Sequence, residues 1–294
     1  MTNATTTTTI PVRTPVYFFS HGGPTFMYAD QPGAERGDPG AFKMLRTIGA
    51  EIVNTIKPRA VVVISAHWQA SSGSALSPAV EVNTAEMTDL IYDFYGFPQH
   101  MYEEKYPNIG SKTVAQRVMS LLEQGGISAK AVTRGLDHGV WVPFKVAFPE
   151  FQALKVPIVQ VSLLRSEDAS GHIALGKALA PLRDENILII GSGMTVHNLR
   201  EMRLYWNGVA PYSKAFDDML AHAVCEYTGA DREKALAGLI RTAEAQKAHP
   251  TKEHLLPIYV AAGAAYEDDA SRVYTALQRS LAWGEYRFGP QPKA

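Results

Sequence analysis

A chain of 294 residues with 46% hydrophobic and 19% charged side chains has ordinary globular composition and is long enough to bury a substantial core. A formal net charge of -1, with no Lys/Arg-rich run, excludes the electrostatics expected of a nucleic-acid or anionic-membrane partner. The single cysteine, Cys225, forms no intrachain disulfide, and no apolar stretch approaches the roughly 20 residues of a spanning helix, so a cytoplasmic setting without membrane attachment is expected.

Residues 1–14 read as a disordered leader: the stretch is Thr-rich, has Arg13 as its only basic residue, and lacks the basic start and apolar middle of a secretory signal. Over 15–294, short aliphatic runs alternate with longer segments of helical period. That alternation predicts a single α/β domain over 15–294, a mixed α/β sheet flanked by helices. Strands are expected at 16–19, 60–64, 131–132, 157–161 and 187–190, several of them continuously apolar as in strands covered on both faces.

A helix is expected over 41–56, after Gly40 and before Lys57-Pro58, with Phe42, Leu45, Ile48, Ile52 and Ile56 near one face. The aromatic segment "IYDFYGFPQHMYEEKYP" suits a loop folded over something, although most of its rings are expected to pack on the core. The next helix takes Ser111 as its N-cap and stops at Gly125-Gly126. "HIALGKALAPL" and "YSKAFDDMLAHAVCEYT" supply two more. "REKALAGLIRTAEAQKAHP" reads as a helix ending at His249-Pro250, and another, starting near Thr251, follows in "KEHLLPIYVAAGAAY". The tail "TALQRSLAWGEYRFGPQPKA" resumes helical or extended character.

The nine histidines divide by context. His172 and His222 sit in periodic helical segments with ordinary neighbours and are assigned no role. His21 in "VYFFSHGGP", His67 in "VVVISAHWQA" and His197 in "ILIIGSGMTVHNL" each follow an expected strand. Ligands of open α/β sheets gather outside the carboxyl ends of the strands, and imidazole is the commonest ligand for zinc, iron and copper. The recurrence therefore points to a metal site at the carboxyl ends of strands. Gly22 and Gly23 are expected to let the chain turn through positive φ after His21. In "GLDHGVWVPF", Asp137 is a candidate to orient His138. A helix starting near Thr251 sets Glu253 about 100° round the axis from His254, so the two are not expected to face one metal.

Taken in order and spacing, "SHGGP", "SAHW", "DHGVW", "GSGMTVHNL" and "HPTKEHLLPIYVAAGA" resemble the class III extradiol ring-cleavage dioxygenases, the LigB-like superfamily. The resemblance is nearest to its 4,5-DOPA dioxygenase-like branch and runs from residue 17 to about residue 265. It implies that His21, His67 and His254 ligate a metal, that His197 is a further metal neighbour or the acid–base group, and that His138 lines the substrate pocket and assists catalysis. His249 is given at most a supporting role. Many ring-cleavage dioxygenases place a carboxylate where His254 stands. A third imidazole leaves the metal charge uncompensated, which favours a catecholate anion, and it suits Zn(II) as well as Fe(II). Zn(II) is redox-inert, so Fe(II) is the form expected to be active.

The implied reaction is extradiol (meta) cleavage of a catechol such as DOPA by molecular oxygen. The diol chelates Fe(II) and loses its protons more readily, while His197 takes the phenolic proton and returns it at ring opening. His138 stabilises oxygen or the substrate hydroxyl, or takes the proton if His197 is a ligand. Tyr28, Phe94, Tyr95 and Trp141 are the candidate specificity residues. The alternatives are a zinc-dependent hydrolase, which the lack of an HExxH-like signature disfavours, and a non-catalytic metal-binding relative, which the full set of histidine motifs disfavours. The partners implied are a catechol and O2, with no oligomeric state indicated.

Overall fold

The computed structural model describes residues 13–31, 37–150 and 153–291. In chain order these form β1 (Val16–Ser20), α1 (Pro39–Glu51), β2 (Ala60–Gln69), β3 (Ala79–Asn83), α2 (Lys112–Gln124), β4 (Ser128–Val132), α3 (His138–Ala147), β5 (Ile158–Leu163), α4 (Ala169–Leu179) and β6 (Ile187–Gly193). There follow β7 (Val196–His197), α5 (Pro211–Cys225), α6 (Gly229–Leu239), α7 (Ala243–Ala248), α8 (Leu256–Ala264), β8 (Ala270–Tyr274), β9 (Leu277–Gln278), β10 (Leu281–Ala282) and β11 (Glu285–Phe288). The leader expected over 1–14 lies outside the described residues except for Arg13 and Thr14. Arg13 pairs with Asp184 at 2.9 Å, and the Thr14 N–H donates to the Arg183 carbonyl at 3.3 Å.

The larger sheet has eight strands in the order β4-β3-β5-β2-β6-β1-β11-β8. Its middle, β5-β2-β6-β1, is parallel, while β11 and β8 add antiparallel strands on one side and β3 joins β5 antiparallel on the other. This is the mixed sheet expected from the sequence. The parallel strands are apolar throughout because both faces are covered. Val16, Phe18, Val62, Ile64 and Ile189 point to the layer holding α2, α4, α5, α6 and α8; Tyr17, Phe19, Val61, Val63 and Ile190 point to the layer of α1 and α3.

Element ends follow local chemistry. Asp38 caps α1 by accepting the Ala41 N–H at 2.7 Å, with Pro39 at the first helical position, so the helix opens before Gly40 rather than after it. A π turn over Ile52–Ile56 carries the chain to Lys57, which ends it in the left-handed conformation. Ser111 caps α2 through the Val114 N–H, as its spacing predicts, and Gly126 takes positive φ just beyond. The segment expected to be one helix up to His249 is two, because the Thr242 hydroxyl accepts the Ala245 N–H and starts α7 afresh. The tail is extended where it is described and forms β9 to β11, with β8 just ahead of it.

Candidate metal and substrate site

Three imidazoles arrive at the carboxyl ends of the central parallel strands by different local devices. His21 directly follows β1, and its N–H donates to the Gly193 carbonyl at 2.9 Å, which prolongs the β1–β6 pairing by one residue. His67 lies inside β2, since that strand does not end at Ile64. Its register against β5 slips between Ile64 and Gln69, and such an irregularity re-aims side chains near a sheet end.

His254 precedes α8 rather than occupying a helical first turn from Thr251. The ring of Pro257 would strike the carbonyl of residue 253 in a longer helix, so α8 opens at Leu256. The turn that results is pinned to the sheet, its His254 carbonyl accepting the Met194 N–H at 2.9 Å. Gly193 is required at this crossing, because a Cβ there would lie 2.1 Å from the same carbonyl oxygen.

The Nε2 atoms of His21 and His67 are 3.1 Å apart, and those of His67 and His254 are 3.2 Å apart. Each ring is held from its far side. The His21 Nδ1–H donates to Ser192 Oγ at 2.9 Å, and the serine spends its own proton on the Gly139 carbonyl. His67 Nδ1 faces Asp93 Oδ2 at 3.3 Å, and His254 Nδ1 faces Glu253 Oε1 at 3.1 Å. An imidazole that donates through Nδ1 carries its lone pair on Nε2. Three lone pairs thus converge at hydrogen-bond distance with no proton between them, which is repulsive by itself and favourable around a cation. Burial, followed by the neighbouring imidazoles, holds His21 and His254 well below the ordinary histidine range and so neutral, the form that ligates. The donor set fits a borderline divalent metal such as Fe(II) or Zn(II). Gly139 lets the His67 ring lie against α3, since a Cβ there would stand 2.4 Å from Ser65 Oγ and 2.8 Å from His67 Cδ2.

Among the described residues, two further sets bring ligand-type atoms within 4.8 Å of one another: His67, Asp93 and His138, and His197, Glu253 and His254. Each includes a carboxylate that an imidazole N–H already engages. Glu253 is not turned away from His254, as a helix from Thr251 would have it, but supports the ring from the Nδ1 side.

His197 sits apart from the converging nitrogens. It belongs to β7, which pairs with β10 in a separate three-stranded sheet, and its ring stacks on that of His254 with centroids 3.6 Å apart and planes 14° apart. Burial and then the His254 imidazole keep it well below the ordinary histidine range. His138 opens α3, with its ring centroid 3.9 Å from that of His67.

The carboxylate orienting His138 is Asp93, which accepts both the His138 main-chain N–H at 3.0 Å and the ring Nδ1–H at 2.9 Å. Asp137 instead accepts from the Ser65 hydroxyl, Arg134 and the Gln160 amide. Burial alone would raise the Asp93 carboxyl, but the bonds from His138 and His67 outweigh it and hold it far below the usual carboxylate range. Asp93 lies in the aromatic loop, where no periodicity marks it. The one sequence signal is an acid alone among Tyr92, Phe94 and Tyr95.

The remaining histidines face elsewhere. His249 contacts the Thr195 carbonyl through Nε2 at 2.9 Å and is pushed down to about 4 by burial. His172 contacts the Asp168 carbonyl inside α4, and His222 meets the Tyr227 hydroxyl on α5.

The imidazoles open into a cavity of about 610 Å³, a volume typical of small-molecule sites. Phe94, Tyr95 and Phe97 of the aromatic loop form one wall, and Arg279, Leu281 and Trp283 of the C-terminal segment form another. Two of the four expected specificity residues, Phe94 and Tyr95, are there. Trp141 is buried in the core with its Nε1–H on the Ile91 carbonyl, and the Tyr28 hydroxyl bonds Glu104. Trp283 and Arg279 escaped sequence reading because no motif flags them. Gly22 and Gly23 do not adopt positive φ; Gly22 is small because a Cβ would come 2.4 Å from the Trp283 ring.

Comparison with known proteins places most of the chain in one family. Residues 15–287 match the family described as the catalytic LigB subunit of aromatic ring-opening dioxygenase. The chain is 36% identical over 276 residues to a 4,5-DOPA dioxygenase extradiol of Beta vulgaris, covering 92% of this chain and 95% of that relative. A protein of Escherichia coli K12 with the same name is 31% identical, with 86% and 85% covered, and the dioxygenase tasH of Hapsidospora irregularis is 34% identical, with 89% and 81% covered. The crystal structure of an uncharacterized protein of E. coli K12 superposes with a TM-score of 0.71 at 26% identity, over 94% of this chain and all of that one.

Proposed function

The chain belongs to the family of the catalytic LigB subunit of aromatic ring-opening dioxygenases, an enzyme family of extradiol type, and from that membership we propose that it cleaves a catechol such as DOPA with molecular oxygen at a divalent metal held by His21, His67 and His254. One observation carries the assignment: three imidazoles converge through Nε2 at 3.1 Å and 3.2 Å while each Nδ1 is engaged from behind. Fe(II) bound there supplies a Lewis acid that lowers the hydroxyl pKa of the diol and a redox centre that couples its oxidation to O2.

The protein's own groups do the rest. His197, neutral and stacked against His254, receives the phenolic proton and returns it when the ring opens. Its lack of a hydrogen-bonding anchor among the described residues suits a proton shuttle better than a ligand. His138 gives its Nδ1–H to Asp93, so its Nε2 turns to the cavity as an acceptor for the second substrate hydroxyl. Phe94, Phe97 and Trp283 clasp the aromatic ring and keep water from it. A cytoplasmic, reducing setting fits the single Cys225 and preserves ferrous iron.

The test is anaerobic loading with Fe(II) or with Zn(II), followed by air and a panel of catechols including DOPA. Oxygen uptake with a yellow ring-opened product is expected with iron alone. A metal-saturated protein that consumes no oxygen with any catechol overturns the proposal, and hydrolysis by the zinc form would replace it with a hydrolase.

A further inference from the structure

A dry cavity of about 150 Å³ accommodates benzene. The cavity above the imidazoles, at about 610 Å³, therefore has room for more than a metal, oxygen and one catechol ring. Whatever the ring carries meets the remaining walls, and their chemistry selects it.

Beside the imidazoles those walls carry large apolar side chains. Phe94 meets the His138 ring edge-on, with centroids 5.8 Å apart, and the Trp283 ring packs on Phe26 and reaches Gly22, the residue after His21. These two flank the catechol ring. Leu199 and Met202 line the same cavity from the segment that leaves β7, just past His197. The start of that segment is fixed relative to the chemistry, because His197 pairs directly with Leu281 of β10. The β9–β10 hairpin itself turns at Arg279, whose φ of 59° is a strained, left-handed position for a long side chain. Met202 packs half-buried against the core layer of α1 and α3, whereas Leu199 is 58% exposed. A leucine more than half in water on a cavity wall loses that exposure only when a ligand reaches it, and the burial is favourable.

We propose that Leu199 and Met202 form an apolar subsite next to the metal centre, and that the favoured substrates are catechols bearing a bulky apolar substituent, a butyl or phenyl group or larger. This rests on the catechol-cleaving reading above. Removal of the substituent from water sets the preference, at about fourfold in affinity for each methylene buried. Catechols with a short, charged side chain, DOPA among them, rank below these.

Anaerobic calorimetry on the iron-loaded protein reads this without turnover. The ligands are catechol, its 3- and 4-methyl and 3- and 4-butyl derivatives, and DOPA. In at least one of the two series the wild-type protein should gain about fourfold per methylene, about sixtyfold from methyl to butyl, and bind that butylcatechol more tightly than DOPA. A Leu199→Ser, Met202→Ser double variant should bind unsubstituted catechol as the wild type does and lose about tenfold of the gain. Leu199→Ser alone, at a side chain already half in water, should lose part of it and stands in if the double variant fails to fold. Affinity that stays flat or falls from methyl to butyl in both series, tighter binding of DOPA than of either butylcatechol, or a gain that survives whole in the variants overturns the subsite and leaves the catechol reading standing. Failure of every catechol to bind, the unsubstituted one included, overturns both.

Discussion

The two walls of the cavity are built on different principles. The metal wall rises from the ends of the buried parallel strands β1 and β2 and from the turn before α8 that is pinned to β6, and its imidazoles are fixed from behind by Ser192, Asp93 and Glu253. The substrate wall comes from the aromatic loop and the short β7-β10-β9 sheet, where Tyr95 is exposed and Arg279 sits in a strained turn. Convergence of three imidazole nitrogens on one ion would demand rigidity, since a small displacement weakens ligation. Recognition of a substituent tolerates looser walls, which are free to vary without disturbing the centre.

Substitutions can break this contrast at graded cost. His197 bridges the walls, and His197→Ala should retain metal while kcat falls by about 10²- to 10⁴-fold, the usual worth of a positioned acid–base group; parallel metal analysis and kinetics check this, and full activity removes His197 from the proton path. Asp93→Asn, on the metal wall, should reduce metal affinity or activity by about 10- to 100-fold, because an amide cannot accept from both His67 and His138. An effect confined to KM would move Asp93 to the substrate wall. Tyr95→Ala should be the mildest. With the ring 89% exposed, thermal stability should change by no more than about 0.5 kcal/mol, and any change should appear in KM for the catechol.

Legibility in the sequence follows the same division. The continuous apolar runs of β1, β2, β5 and β6 announce strands buried on both faces, and the histidines after the runs of β1 and β2 are legible with them, whereas Asp93 behind those rings is not. β3, with its alternating "AVEVN", and the short strands β7, β9 and β10 are too brief or too polar to stand out. Asp137 precedes His138 and so suggests itself as the orienting carboxylate. Neighbouring residues at a helix start point apart, however, and the partner is Asp93, 45 positions earlier. Pairings over such separations are set by tertiary packing, which local pattern does not encode. The position of His254 turns on Pro257: a proline at the second position of α8 is itself a sequence signal that the helix starts after the histidine.

The central claim is that His21, His67 and His254 together hold one metal. Metal content after anaerobic Fe(II) loading and desalting tests it most directly, in the wild-type protein and in His21→Ala, His67→Ala, His254→Ala and, as a control from inside α4, His172→Gln. About one ion per chain is expected in the wild type and the control, and little or none in each of the three alanine variants. Retention of full metal by any one of those three would contradict the account.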